Sequence, residues 1–122
     1  FKNKVNLLGY KSNVKAYFKD SFCFILSSLW EDPGFVLIES AINRTFILSS
    51  DCPNGPKEFL ENGNAGYLFH SNKKNELKNQ ITKFAKEEKN LKKFKIKAKK
   101  NSSNYTLFRH HLSLKKILSN EK

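Results

Sequence analysis

The chain has 122 residues with 23 Lys and Arg against 11 Asp and Glu, a formal net charge of +12, and 39% hydrophobic residues including 11 Phe. That length suits one domain of roughly 100–150 residues, and the apolar content is enough for a core, which excludes a wholly disordered chain despite 28% charged residues. No apolar run reaches the about 18 residues of a membrane span. Cys23 and Cys52 form no CxxC and no cluster with the three histidines, so neither a disulfide scaffold nor a structural zinc site is expected, and a reducing, cytoplasmic setting fits.

The charge is uneven. Residues 1–70 hold seven basic and seven acidic groups, whereas residues 71–122 hold 16 basic and four acidic groups and carry the whole excess. A folded unit, residues 1–87, neutral through residue 70, is therefore expected to precede basic C-terminal helices, residues 88–122, that pack on it.

In chain order, Val5-Asn6-Leu7-Leu8 ending at Gly9 reads as a strand and turn. Asn13 is placed to cap a helix running to about Lys19, with Val14, Tyr17 and Phe18 on one face. Phe22 to Leu26 reads as a strand buried on both faces, the pattern of a parallel sheet covered by helices. Gly34 opens a helix to about Asn43, Thr45 to Leu48 is the next strand, and Pro56 starts a one-turn helix. A turn at Asn62-Gly63-Asn64 leads into a short strand at Gly66 to Phe69. From Lys73 the period becomes helical through Leu77, Ile81, Phe84 and Ala85. A second basic helix carries Leu91, Phe94, Ile96 and Ala98, and a last amphipathic helix runs from about Ser103. The chain opens at Phe1 without a signal peptide, which reads as a piece of a longer protein.

Strands alternating with helices at this spacing predict a three-layer, Rossmann-like α/β fold with a parallel sheet. Ligands of such sheets bind beyond the carboxyl ends of the strands. The loops expected there are Gly9 to Asn13, Ser27 to Gly34 and Ser49 to Gly55.

Two carboxylates, Glu31 and Glu39, flank Asp32-Pro33-Gly34-Phe35-Val36-Leu37-Ile38 with seven residues between them. Gly34 lets the backbone come close to a ligand, and the amides of Phe35 and Val36 at the helix start can meet a phosphate. The plainer alternative is that Glu31 and Asp32 complement the helix dipole while Glu39 sits on a solvated face. The polar loop Ser49 to Glu58, at the end of a strand and the start of a helix, favours a site.

Glu31 and Glu39, then Ser50-Asp51, then Gly55-Pro56-Lys57-Glu58, then Asn62-Gly63-Asn64-Ala65-Gly66-Tyr67-Leu68-Phe69 together resemble the C-terminal half of a GT-B-fold retaining glycosyltransferase of the group 1, or family 4, type. Its E-x7-E signature is matched by the two glutamates, and Leu7-Leu8-Gly9-Tyr10 falls where the family has its first nucleotide-contacting loop. The resemblance runs over roughly residues 5–87 with order and spacing intact.

It implies that Glu39 holds the ribose hydroxyls of a nucleoside diphosphate and Glu31, the catalytic candidate, contacts donor-sugar hydroxyls near the reacting carbon. The amides of Gly34, Phe35 and Val36 would meet the diphosphate and sugar, and Gly9 and Tyr10 would border the base. The donor would be a nucleotide-sugar, with UDP the expected nucleotide, and neither a cofactor nor a metal is expected. The family's Gly-Phe-like pair after the first Glu is Asp32-Pro33 here; Pro33 has no N–H, so one backbone donor to the sugar is missing, and the Asp32 carboxylate is a candidate for a side-chain contact in its place. The diphosphate-neutralising basic pair and the acceptor-binding half would lie before residue 1, leaving these residues alone to bind a donor weakly and catalyse nothing.

The Lys-rich stretch from Lys86 to Lys100 has three readings: composition bias, attraction to anionic lipid, and nucleic-acid binding. Nucleic acid is disfavoured by the lack of aromatic interleaving. The function the resemblance implies is transfer of a hexose or amino-sugar to a surface-polysaccharide or lipid-linked acceptor, with peripheral contact at the inner face of the membrane left open beside composition bias as the reading of the basic stretch. The alternatives are another GT-B enzyme such as a UDP-sugar epimerase, or a basic membrane- or nucleic-acid-binding module.

Overall fold

A computed structural model describes residues 4–87 and 90–119. The elements are α1 (Val14–Asp20), β1 (Cys23–Leu26), α2 (Phe35–Ile42), β2 (Phe46–Ser50), α3 (Pro56–Phe59), a 3-10 turn (Glu61–Gly63), β3 (Tyr67–Phe69), α4 (Glu76–Lys86), α5 (Leu91–Ser102) and α6 (Leu107–Ser119). The three strands are parallel in the order β1-β2-β3, with Cys23 opposite Phe46 and Leu48 opposite Tyr67.

The central strand β2 is buried throughout, and its alternation sorts the core into two layers. Ile47 faces one cluster with Leu26, Leu37, Ile38, Ala41 and Leu60. Phe46 and Leu48 face the other, with Tyr67, Phe69 and Leu91, backed by Leu77, Phe84 and Phe94. Helices α2 and α3 therefore cover one face and α4 the other, the expected three-layer α/β arrangement. Helix α5 joins both layers, because Leu91 lies in one cluster and Ala98 in the other. Aromatic rings lock this junction: Phe46 meets Tyr67 at 4.9 Å, Phe84 at 5.1 Å and Phe94 at 5.9 Å between centroids.

Three expectations are corrected. Residues 5–8 form no strand; Val5, Leu7 and Leu8 are exposed. An apolar run becomes a strand only where a neighbour takes its backbone hydrogen bonds, and no described strand pairs with it. The segment from Phe22 to Leu26 is not buried on both faces, since Phe22 is 74% and Ile25 43% exposed. It is an edge strand, paired among the described residues with β2 alone, and an edge position leaves such side chains open to solvent. Asn13 precedes α1 but makes no side-chain cap bond.

Candidate functional site

The carboxyl ends of β1 and β2 are tied together by short polar contacts. The buried Ser50 hydroxyl donates to the Ser28 carbonyl at 2.6 Å, and the Ser28 hydroxyl donates to the Glu31 carboxylate at Oε1. The Glu31 N–H donates to the Pro53 carbonyl at 3.4 Å. The loops after β1 and β2 thus touch. Their closest approach is at Gly55, φ 133°, where a Cβ would stand 2.3 Å from the Pro33 carbonyl oxygen.

Glu31 is half-buried and held beside the start of α2: a Cβ on Gly34 would lie 3.4 Å from Glu31 Oε2. Gly34 itself is buried in the left-handed region at φ 75°, which suits a residue with no Cβ. The first turn closes with Leu37 N–H to the Gly34 carbonyl at 2.9 Å. The amides of Phe35 and Val36 come before it, where a helix has no carbonyl of its own to offer. Asp32 is exposed on the outer side of the loop.

Glu39 lies on the exposed side of α2, four residues or about 6 Å of helix rise beyond Phe35. It opens into a groove of about 510 Å³ shared with Tyr10, Lys11, Ser12, Lys15 and Asn43. Tyr10 is 94% exposed and follows Gly9, whose φ is 61°. The structure therefore brings Glu39 and Tyr10 together in one groove. Glu31, Asp32, Gly34, Phe35 and Val36 form a second group around the start of α2, outside that groove's lining. Lys11 and Ser12 belong to the loop Gly9 to Asn13 expected at the ends of the strands, whereas Lys15, on α1, was not singled out in the sequence.

A further contact, unforeseen from spacing, closes the ends of β2 and β3. His70 Nδ1 pairs with the Asp51 carboxylate, Asp51 N–H donates to the Phe69 carbonyl at 2.9 Å, and His70 N–H donates to Glu76 Oε2 at 2.9 Å. These residues border a small cavity of about 140 Å³. Among the described residues, no group of three or more His, Cys, Asp and Glu could hold a metal ion.

Burial also shifts titratable groups away from this end of the sheet, Cys23 and Tyr67 the furthest. Burial pushes the Cys23 thiol up to about 11. Burial, then the hydrogen bond to Glu87 Oε2 at 2.6 Å, pushes the Tyr67 phenol up to about 12.

The fold recurs in solved structures. TarM superposes with a TM-score of 0.82 at 24% identity, over 98% of this chain and 24% of that one. Sucrose-phosphate synthase from Thermosynechococcus elongatus superposes with a TM-score of 0.73 at 16% identity, over 85% of this chain and 26% of that one. Among curated proteins, an uncharacterized glycosyltransferase of Methanocaldococcus jannaschii is 41% identical over 58 residues, 48% of this chain. The poly(ribitol-phosphate) alpha-N-acetylglucosaminyltransferase of Staphylococcus aureus is 26% identical over 97 residues, 80% of this chain. The chain spans 14% and 20% of the length of these two relatives. The family described as glycosyl transferases group 1 matches residues 1–101, and the chain belongs to that family.

Proposed function

We propose that this chain is the donor-binding portion of a retaining glycosyltransferase that takes a hexose or amino-sugar from a nucleotide-sugar, with UDP as the nucleotide. The observation that carries this reading is the placement of two carboxylates along α2. Glu31 stands at its amino end, and Glu39 stands a turn later in the groove with Tyr10 and Lys11. A nucleoside diphosphate sugar laid along this surface would meet complementary chemistry at each part. Glu39 would accept hydrogen bonds from ribose hydroxyls, and Gly9 and Tyr10 would border the base. The amides of Gly34, Phe35 and Val36, with the positive end of the helix dipole, would stabilise the leaving diphosphate. Glu31, oriented by Ser28, would grip donor-sugar hydroxyls next to the reacting carbon, and the Asp32 carboxylate would accept from a further sugar hydroxyl.

The acceptor would be a surface polysaccharide or a lipid-linked glycan, supplied from outside these residues. The name of the Staphylococcus aureus relative, which specifies an N-acetylglucosaminyl group and a poly(ribitol-phosphate), favours an amino-sugar and a polymeric acceptor.

Calorimetric titration of the chain with UDP and with GDP, repeated on Glu39→Ala, tests this. Saturable binding that Glu39→Ala weakens about tenfold, the scale of a hydrogen bond to a charged group, is the expected result, and the tighter nucleotide names the base. Binding that Glu39→Ala leaves unchanged would take the groove away from the ribose. Turnover of a UDP-sugar by the parent protein without any acceptor would point to an epimerase instead.

A further inference from the structure

We propose that His70 is a positioning residue for Glu31: by tying down Asp51 it holds the loop of residues 51–55, on which the Glu31 backbone rests. This role stands on the reading that Glu31 grips the donor sugar.

The contacts run in one line from α4 to the start of α2. Helix α4 begins at Glu76, whose Oε2 accepts the His70 N–H at 2.9 Å. That bond fixes the backbone of His70 just beyond the end of β3. The His70 ring reaches the neighbouring strand end, where Nδ1 pairs with the Asp51 carboxylate. Asp51 also donates its own N–H to the Phe69 carbonyl at 2.9 Å, so its backbone and its side chain are both held from β3. Two residues further on, the Pro53 carbonyl accepts the Glu31 N–H at 3.4 Å. Gly55 then packs against the Pro33 carbonyl.

Within residues 51–55, Asp51 is the side chain placed to make such a tie. Pro53 and Gly55 have no polar side-chain group, Cys52 is buried, and Asn54 is exposed with φ 65°. The Asp51 side chain is 16% exposed and that of His70 52%, so the carboxylate is the sheltered partner. Without its donor, a sheltered carboxylate is driven to turn toward water, and the loop would move with it. The Glu31 bond has little slack to absorb that movement. Its 3.4 Å separation already exceeds the usual N–H···O range of roughly 2.7–3.2 Å, so a small shift at Pro53 is enough to lose it. The Ser28 hydroxyl orients the Glu31 carboxylate, and the tie through His70 and Asp51 sets the backbone from which that carboxylate projects.

Variants of the parent protein test this: His70→Ala, Asp51→Ala, and His70→Asn, whose amide nitrogen takes the place of Nδ1 and keeps a donor. Three readouts are taken well below the unfolding temperature: hydrogen exchange of the Glu31 amide by mass spectrometry, kcat for release of UDP from UDP-N-acetylglucosamine, and affinity for UDP. In both alanine variants Glu31 should exchange about tenfold faster, the scale of one hydrogen bond to a charged group. Their kcat should fall by a similar factor while UDP affinity is kept, and His70→Asn should restore both exchange and kcat. His70→Ala/Asp51→Ala should be no worse than either single variant, because the two side chains act as one unit. Wild-type exchange at Glu31, a wild-type kcat, or a His70→Asn protein as impaired as His70→Ala would overturn the proposal. So would a lowered denaturation midpoint with exchange and kcat unchanged. Glu31→Gln separates this outcome from failure of the underlying reading: full UDP release by that variant, or none by the wild type, would overturn the donor-sugar role of Glu31. A crippled Glu31→Gln beside an unimpaired His70→Ala would overturn the role of His70 alone.

Discussion

The Ser50 hydroxyl donates to the Ser28 carbonyl at 2.6 Å, so the end of the central strand is fastened to the loop that carries Glu31. Ser50 is fully buried, and removing its hydroxyl leaves the Ser28 carbonyl without this partner. Ser50→Ala should therefore cost about 1–3 kcal/mol of stability in urea denaturation. Ser28→Ala, at a half-buried position, should cost less stability. Because the Ser28 hydroxyl orients Glu31, it should instead lower sugar transfer by the parent protein while leaving UDP affinity in place.

Two glycines beside the site should respond unequally to alanine. At Gly34 a Cβ meets Glu31 Oε2 and Leu37 Cδ1 at 3.4 Å, ordinary contact, so the cost is the positive φ alone, about 1–2 kcal/mol. At Gly55 the Cβ would stand 2.3 Å from a backbone oxygen of Pro33 as well as adopting φ 133°. Gly55→Ala should be the more damaging, about 3 kcal/mol or more. Denaturation midpoints of the two variants check the order, and a Gly34→Ala protein less stable than Gly55→Ala would contradict it.

Phe46, with no exposed surface and three aromatic neighbours, is the keystone of one core layer. Phe46→Ala should cost about 3–5 kcal/mol. Phe22→Ala, just before the edge strand and 74% exposed, should stay within about 0.5 kcal/mol. Similar losses at both sites would mean that β1's open side is covered in solution.

Stability should decline in alkali. The Cys23 thiol titrates near 9.0 when unfolded but at about 11 when folded, and the Tyr67 phenol moves from 10.0 to about 12. In each case the folded state holds its proton more tightly, so the contribution is complete below the unfolded value and is lost as pH rises toward the folded one. Urea midpoints should fall from pH 9 upward, and Tyr67→Phe should flatten the part of the decline above pH 10. A midpoint independent of pH between 9 and 11 would refute the assignment.

Much of the architecture could be read from local pattern. The alternation of apolar runs with helical periods marked β1, α2, β2, α3, β3 and α4 within a few residues, and Gly34 and Pro56 marked two helix starts, because backbone preference acts locally. The Glu31 and Glu39 spacing was equally visible, since both lie within one loop and one helix. What needed the tertiary structure was every relation between distant segments. Val5 to Leu8 has the composition of a strand but no described strand pairs with it, and Phe22 and Ile25 look like core residues yet are exposed at the sheet's edge. His70 meets Asp51 across 19 positions, and Lys11, Ser12 and Lys15 reach Glu39's groove only because α1 folds against α2. Sequence by itself marked β1, α2, β2, α3, β3 and α4 and the two carboxylates that flank the start of α2. Burial and side-chain partnership were decided by the parallel sheet and the helices packed on it, because they depend on which surfaces the whole fold brings into contact.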